Sequence, residues 1–129
     1  MSEHRYPVPE ANEETEAFWA AVNESRLPIG HCRACDSAHF YPRALCPHCH
    51  SDATELRDAA GTGEIYTYSV MRRTKVPYAI GYVTLDEGVT LMTNFVDCDL
   101  DALAVGQRVQ VVFVTADDGT SKVPCFTPV

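Results

Sequence analysis

At 129 residues, 46% of them hydrophobic, the chain has the size of one compact domain, or of a small module attached to one, and enough apolar side chain for a real core. Its 10 Lys and Arg against 18 Asp and Glu give a net charge of −8, which argues against nucleic acid as the main partner, because a general nucleic-acid binder needs a positive surface to displace counterions from phosphate. The acidic, polar N-terminus is unlike a signal peptide and no apolar run has the length of a membrane span, so a reducing cytoplasm is the expected compartment.

Residues 1–10, which include Pro7 and Pro9, read as a loose arm. A helix is expected from about Asn12 to Arg26, capped by Asn12 or Thr15, with Glu13, Glu14 and Glu16 at the positive end of its dipole. Phe18, Trp19 and Val22 form a narrow apolar stripe along it. A stripe this short must dock on something: its own domain, or a partner protein that receives a one-faced aromatic helix.

Leu27 to about Ala60 reads as a metal module. Cys32-Arg33-Ala34-Cys35 and Cys46-Pro47-His48-Cys49 are two C-x₂-C hooks separated by ten residues. Each hook lets two sulfurs converge on one ion, and together they supply the four thiolates of a closed tetrahedral zinc site, with Zn–S of about 2.3 Å. Four sulfurs leave no open position for water, so the expected zinc is single and structural: it replaces the core that so small a ribbon cannot build. Four thiolates and one Zn²⁺ would bring the net charge to about −10. The residues between the hooks, including His39-Phe40-Tyr41-Pro42, read as a short antiparallel hairpin leading from the first hook to the second. His31, His39, His48 and His50 lie near the hooks, but with four cysteines in place they are expected to be exposed polar groups or hydrogen-bond supports for the ligands. Cys98 and Cys125 are left over and are expected to be small buried hydrophobes.

Gly61-Thr62-Gly63 breaks the pattern, and the remainder reads as β. Glu64–Arg72 alternates, with Tyr66, Tyr68 and Val70 on one face and Ile65, Thr67, Ser69 and Met71 on the other. Further strands are expected at Ala79–Leu85, Val89–Val96, Arg108–Val114 and Lys122–Thr127, with turns at Asp86-Glu87-Gly88 and Asp117-Asp118-Gly119 and a helical turn at Asp99–Ala104. Five strands with a short helical insert after the third is the arrangement of an OB-fold barrel. The expected fold is therefore mainly β: an N-terminal arm and helix over 1–26, a zinc ribbon over 27–60 and a five-stranded OB-fold barrel over 61–129.

No catalytic set is legible. There is neither a G-x-S-x-G elbow nor a P-loop, and Cys98 stands between Asp97 and Asp99, two carboxylates that oppose its thiolate. The cluster Arg72, Arg73 and Lys75 reads either as a solvated loop or as an anchor for phosphates or an acidic partner. Tyr66 and Tyr68 read as barrel packing, with a base-stacking platform as the alternative.

Several segments together resemble a known family. They are the helix with Phe18-Trp19; Leu27-Pro28-Ile29-Gly30-His31-Cys32; Tyr41-Pro42-Arg43; Cys46-Pro47-x-Cys49-x-Ser51; Gly61-Thr62-Gly63-Glu64-Ile65-Tyr66-Thr67-Tyr68; Leu85-Asp86-Glu87-Gly88; and Leu103-x-x-Gly106-x-x-Val109. Across about residues 12–127 the chain resembles domain-of-unknown-function family 35, proteins with a rubredoxin-like zinc ribbon and an OB-fold that are associated with acyl-CoA metabolism. One departure is His50, where many members carry glycine. The resemblance implies a non-catalytic accessory subunit beside a thiolase-superfamily enzyme: a thiolase, an acyltransferase or a lipid-transfer-protein-type aldolase that shortens steroid side chains. It also implies a possible share in cradling acyl-CoA, for which Arg72, Arg73 and Lys75 are the candidate contacts. Partnership with an enoyl-CoA hydratase is the alternative within the family, and nucleic-acid binding the alternative outside it.

Overall fold

The computed structural model describes residues 6–129, and its helix α1 (Glu16–Asn23) is shorter at both ends than the helix expected over Asn12–Arg26. Asn12 does not cap it directly: its side-chain oxygen accepts the backbone N–H groups of Glu14 and Thr15, both at 3.0 Å, and so holds a turn ahead of the helix. At the other end Ser25 takes φ 62 and the Arg26 N–H donates back to the Ala21 carbonyl at 3.0 Å, which ends the helix in a left-handed cap. Part of the loose arm lies outside the described residues. Tyr6 departs from the expectation, because it is buried against Val96 and Cys125 and its carbonyl accepts the Asp117 N–H at 2.9 Å, whereas residues 7–10 form no regular element and are mostly exposed.

The ribbon is a three-stranded antiparallel sheet of β1 (Pro28–Cys32), β2 (Ser37–His39) and β3 (Thr54–Asp58), in the order β2-β1-β3. A hairpin is present, but it encloses the first hook instead of leading away from it: Cys32 pairs with Ser37, and the hook is the turn between β1 and β2. The third strand had no signal in the sequence, since Thr54-Glu55-Leu56-Arg57-Asp58 carries one large apolar residue and pairs with β1 at an exposed edge.

The remainder closes into a barrel of β4 (Thr62–Met71), β5 (Tyr78–Leu85), β6 (Thr90–Phe95), β7 (Arg108–Thr115) and β8 (Lys122–Pro128), with a 3₁₀ turn at Leu100–Ala102 after β6. The order is β4-β5-β6-β8-β7, β7 returns to β4 through Gly63↔Val109, and β6 meets β8 in parallel at Phe95↔Phe126. This is the OB-fold, a barrel closed by short contacts: β6 meets β8 at one residue pair and β4 meets β7 at three.

β4 carries the feature that the alternation misses. Its pairing with β5 slips between Ile65 and Thr67, so that Ile65 faces Val83 while Thr67 faces Tyr82, and Tyr66 is the extra residue of a bulge. Parity inverts across the bulge. Ile65 is buried, Tyr68 and Val70 pack against the same core, and Tyr66 is 66% exposed. Tyr66 and Tyr68 therefore do not share a face. Where β5 crosses β4, Gly81 leaves no space: a Cβ there would collide with the Thr67 carbonyl oxygen.

One apolar cluster joins all three parts, with Phe18 and Val22 from α1, Leu27 and Ile29 from the ribbon, and Ile65, Val83, Phe95, Val109 and Phe126 among those from the barrel. Phe18 and Val22 are 1% and 0% exposed, so the apolar stripe of the helix docks on its own chain, and these two residues are not free for a partner. Trp19 packs partly buried beside them. The Phe18 ring meets Trp19 and Tyr41 edge-on, each at 5.0 Å between centroids, and Phe40 at 5.7 Å. The end of the helix is also tied to β8, since Asn23 Oδ1 accepts the Lys122 N–H at 2.9 Å.

Candidate functional site

Each hook is shaped by a left-handed residue just past it. Asp36, at φ 56, turns the chain from the first hook into β2, and His50, at φ 65, turns it out of the second. This conformation favours glycine, so Asp36 and His50 hold it at a steric cost that glycine would not carry. The second hook is closed by the Cys46 N–H on the Ser51 carbonyl at 2.8 Å and the His50 N–H on the Cys46 carbonyl at 2.9 Å, and the Arg33 N–H on the Ala53 carbonyl at 2.9 Å holds the two hooks together.

The four sulfurs of Cys32, Cys35, Cys46 and Cys49 all lie within 4.8 Å of one another, with 3.6 Å between Cys32 and Cys49 and 3.7 Å between Cys35 and Cys46. A tetrahedron of sulfurs around zinc has edges of about 3.8 Å, from a Zn–S bond of about 2.3 Å. Electrostatics point the same way. Burial opposes ionisation of Cys46, but the N–H groups of Cys49 and His48 aimed at its sulfur outweigh burial and hold the thiol down to about 6. Cys49 has one helpful donor, the Ser51 N–H, yet burial and the neighbouring sulfurs push it up to about 12. Without a cation the cluster resists full ionisation, and a divalent cation supplies the charge that makes all four sulfurs thiolates. The donor set thus fits one structural zinc in a closed site.

The histidines divide. His31 Nε2 lies 3.0 Å from Asp36 Oδ1 and so supports the first hook, and His48 Nε2 lies 3.4 Å from the Ala38 carbonyl. His39 departs from expectation: it is 4% exposed and neither ring nitrogen has a hydrogen-bond partner among the described residues. Its ring lies against Gly30, where any Cβ would strike it. Burial first, and the nearby His48, Arg43 and His31, lower its pKa and keep it neutral.

Arg72, Arg73 and Lys75 lie exposed in the loop between β4 and β5. Arg72 already has a partner, with Nη2 at 2.5 Å from Oδ1 of Asp101 in the 3₁₀ turn. One residue beyond Lys75 begins a cavity of about 330 Å³, lined by Val76, Pro77, Tyr78, Phe95, Cys98 and Leu100 among others. Sequence reasoning missed this cavity because its walls come from segments far apart in the chain. Cys98 is therefore part of a cavity wall and not fully buried, and burial together with Asp97 and Asp99 raises its pKa and keeps it a thiol. Cys125 is fully buried, and burial, with a smaller contribution from Asp97, pushes it up to about 12 against the lowering hydrogen bond of Tyr6. Neither is a nucleophile at neutral pH. Among the described residues no helix is long and apolar enough to cross a membrane.

A closed four-cysteine centre in a three-stranded ribbon that shares its core with a five-stranded OB barrel defines a zinc-ribbon/OB-fold protein. Residues 19–55 match the model of the ChsH2 rubredoxin-like zinc ribbon domain, and residues 56–114 that of the ChsH2 C-terminal OB-fold domain. A DUF35 domain-containing scaffold protein of Methanocaldococcus jannaschii is 32% identical over 104 residues, covering 74% of this chain and 73% of that protein. A "probable enoyl-CoA hydratase alpha subunit" of Thermomonospora curvata is 33% identical over 127 residues, 95% of this chain, but the chain spans only 40% of that relative's length. Among solved structures, the one described as "Ltp2-ChsH2(DUF35) aldolase" superposes with a TM-score of 0.82 at 33% identity, covering 93% of this chain and 98% of the other. The chain belongs to the DUF35 family.

Proposed function

We propose that this protein is a non-catalytic accessory subunit of an acyl-CoA-processing complex, and that its partner is a thiolase-superfamily enzyme that makes or breaks a carbon–carbon bond, including the retro-aldol cleavage of steroid side chains. The observation that carries the reading is the near-complete likeness, over 93% of this chain, to a DUF35 chain solved as part of an aldolase. The chemistry of the chain agrees: its metal centre is closed by sulfur, and its two remaining cysteines are held protonated. The partner would supply nucleophile and base. This chain would supply a rigid platform, its ribbon clamped by zinc and its barrel by the shared core.

A contact with acyl-CoA fits the loop of Arg72, Arg73 and Lys75. Arginine forks bind phosphate, and the adjoining cavity of about 330 Å³ has mixed walls, with Val76, Pro77, Phe95 and Leu100 beside Tyr6, Asp97 and Cys98, that offer an amide-bearing pantetheine segment both apolar and polar contacts. Arg72→Ala/Arg73→Ala should weaken acyl-CoA binding to the complex, and unchanged binding would remove this part of the proposal.

The relative named as an enoyl-CoA hydratase subunit favours a second reading, in which the partner is a hydratase. Affinity purification of the tagged protein from its native host, with mass spectrometry of co-eluting chains, tests both readings. A stoichiometric thiolase-like chain supports the first and a hydratase chain the second. Recovery of the protein alone, or with nucleic acid, would overturn the accessory-subunit reading.

A further inference from the structure

We infer that Asp101 is a built-in competitor for the anion that the loop of Arg72, Arg73 and Lys75 receives: its carboxylate occupies Arg72, and a phosphate-bearing ligand must displace it. The inference rests on the proposed acyl-CoA contact and deepens it by assigning the residue that sets how tightly the loop holds phosphate.

Two segments that line the cavity also carry the charges. The loop after β4 holds Arg72, Arg73 and Lys75 and runs on into Val76, Pro77 and Tyr78, which line the cavity. The segment after β6 lines it with Cys98 and Leu100, and Asp101 follows directly in the 3₁₀ turn. The ion pair Arg72–Asp101, between residues 29 positions apart, therefore joins the two segments. Among the described lysines and arginines, only Arg43, Arg73 and Lys75 have no side-chain hydrogen bond or ion pair. Two of these three stand on this loop, so it is where an acidic chain keeps cations that nothing neutralises locally.

The third cation of the loop is held differently. Arg72 makes a single bond to Asp101, from Nη2 to Oδ1, and leaves the rest of its fork unused among the described residues. Both side chains are open to water, at 59% and 73% exposed. An exposed pair of this kind is weak, so it occupies Arg72 without locking it. A terminal phosphate carries about −1.5 to −2 charges at pH 7 and can take an arginine fork at two of its oxygens. It therefore gains by displacing Asp101, and the released carboxylate returns to water. A singly charged carboxylate ligand gains little, because it only exchanges one carboxylate for another. Arg73 and Lys75 draw anions in, and Asp101 sets the charge an anion needs in order to capture Arg72.

The test uses coenzyme A as the probe, titrated calorimetrically into the complex of the zinc-loaded protein with the enzyme subunit recovered by co-purification. The enzyme subunit is the same in every titration, so a difference between variants reports this chain. Asp101→Asn should tighten binding about two- to fivefold. In the Arg72→Ala background it should have no effect, because Asp101 acts through Arg72. The side chain of Asp101 is exposed, and the bond to Asp99 at 3.0 Å comes from its backbone N–H, so the thermal midpoint should stay as in the unaltered protein. Weaker binding in Asp101→Asn would overturn the inference, by making the ion pair a clamp that shapes the cavity. Equal tightening with and without Arg72 would also overturn it, by reducing Asp101 to a general charge effect. Unchanged affinity in Asp101→Asn, with Arg72→Ala/Arg73→Ala weakened, would overturn it and leave the acyl-CoA contact standing. Unchanged affinity in Arg72→Ala/Arg73→Ala would remove both.

Discussion

Phe18→Ala decides whether the helix is part of this fold or an arm held by something else. Phe18 is 1% exposed, and its ring touches Trp19 on its own helix and Phe40 and Tyr41 from the segment between the hooks. Removing a buried phenylalanine ring costs about 3–5 kcal/mol in lost transfer energy and residual cavity. Little relief by collapse is expected here, because the walls of the cavity belong to helix, ribbon and barrel, three units that cannot close on it together. For a domain of this size the loss corresponds to a fall of about 10–20 °C in thermal midpoint. The assay is thermal and urea unfolding followed by circular dichroism, on the isolated protein in zinc-saturated buffer so that loss of metal does not mix with loss of packing. A fall below about 1 kcal/mol would refute the reasoning, because it would mean that the Phe18 site is not held together by this chain alone. Trp19→Ala, at a partly buried position, should cost clearly less.

Chelation of zinc, or Cys46→Ser, should release one zinc per chain and expose the thiols of the remaining ligands to an aromatic disulfide reagent, while Cys125 stays unreactive until the barrel unfolds. Asp86 is bound by both Arg108 Nη atoms, at 2.9 and 3.0 Å, and by the Thr62 hydroxyl at 2.6 Å. These bonds hold its carboxyl at about 2, against an ordinary value of 3.8. Its stabilising effect is therefore complete above about pH 4 and is lost as the pH falls through about 2, and carboxyl NMR of Arg108→Ala should show the midpoint returning toward the ordinary value. Gly81→Ala should lower stability by about 1–3 kcal/mol in urea unfolding, because its Cβ meets backbone and not a movable side chain.

The amino-acid sequence by itself determined the metal centre, because hook spacing is local: two C-x₂-C turns bring sulfurs together whatever surrounds them. It determined the barrel to within a residue or two at most strand ends, because alternation and turn residues act over a few positions. What covers a face is not local, and the tertiary structure alone decided it. The apolar stripe of the helix suited either its own domain or a partner, and only packing assigned Phe18 and Val22 to the shared core. The bulge in β4 is a slip of one residue, invisible to a period of two: Tyr66 faces outward by alternation from Ile65, and the slip brings Tyr68 back against the core. The β3 strand, the cavity beside the basic loop and the pairing of Arg72 with Asp101 likewise join residues far apart in sequence, and the chain meets itself at those places only after it has folded.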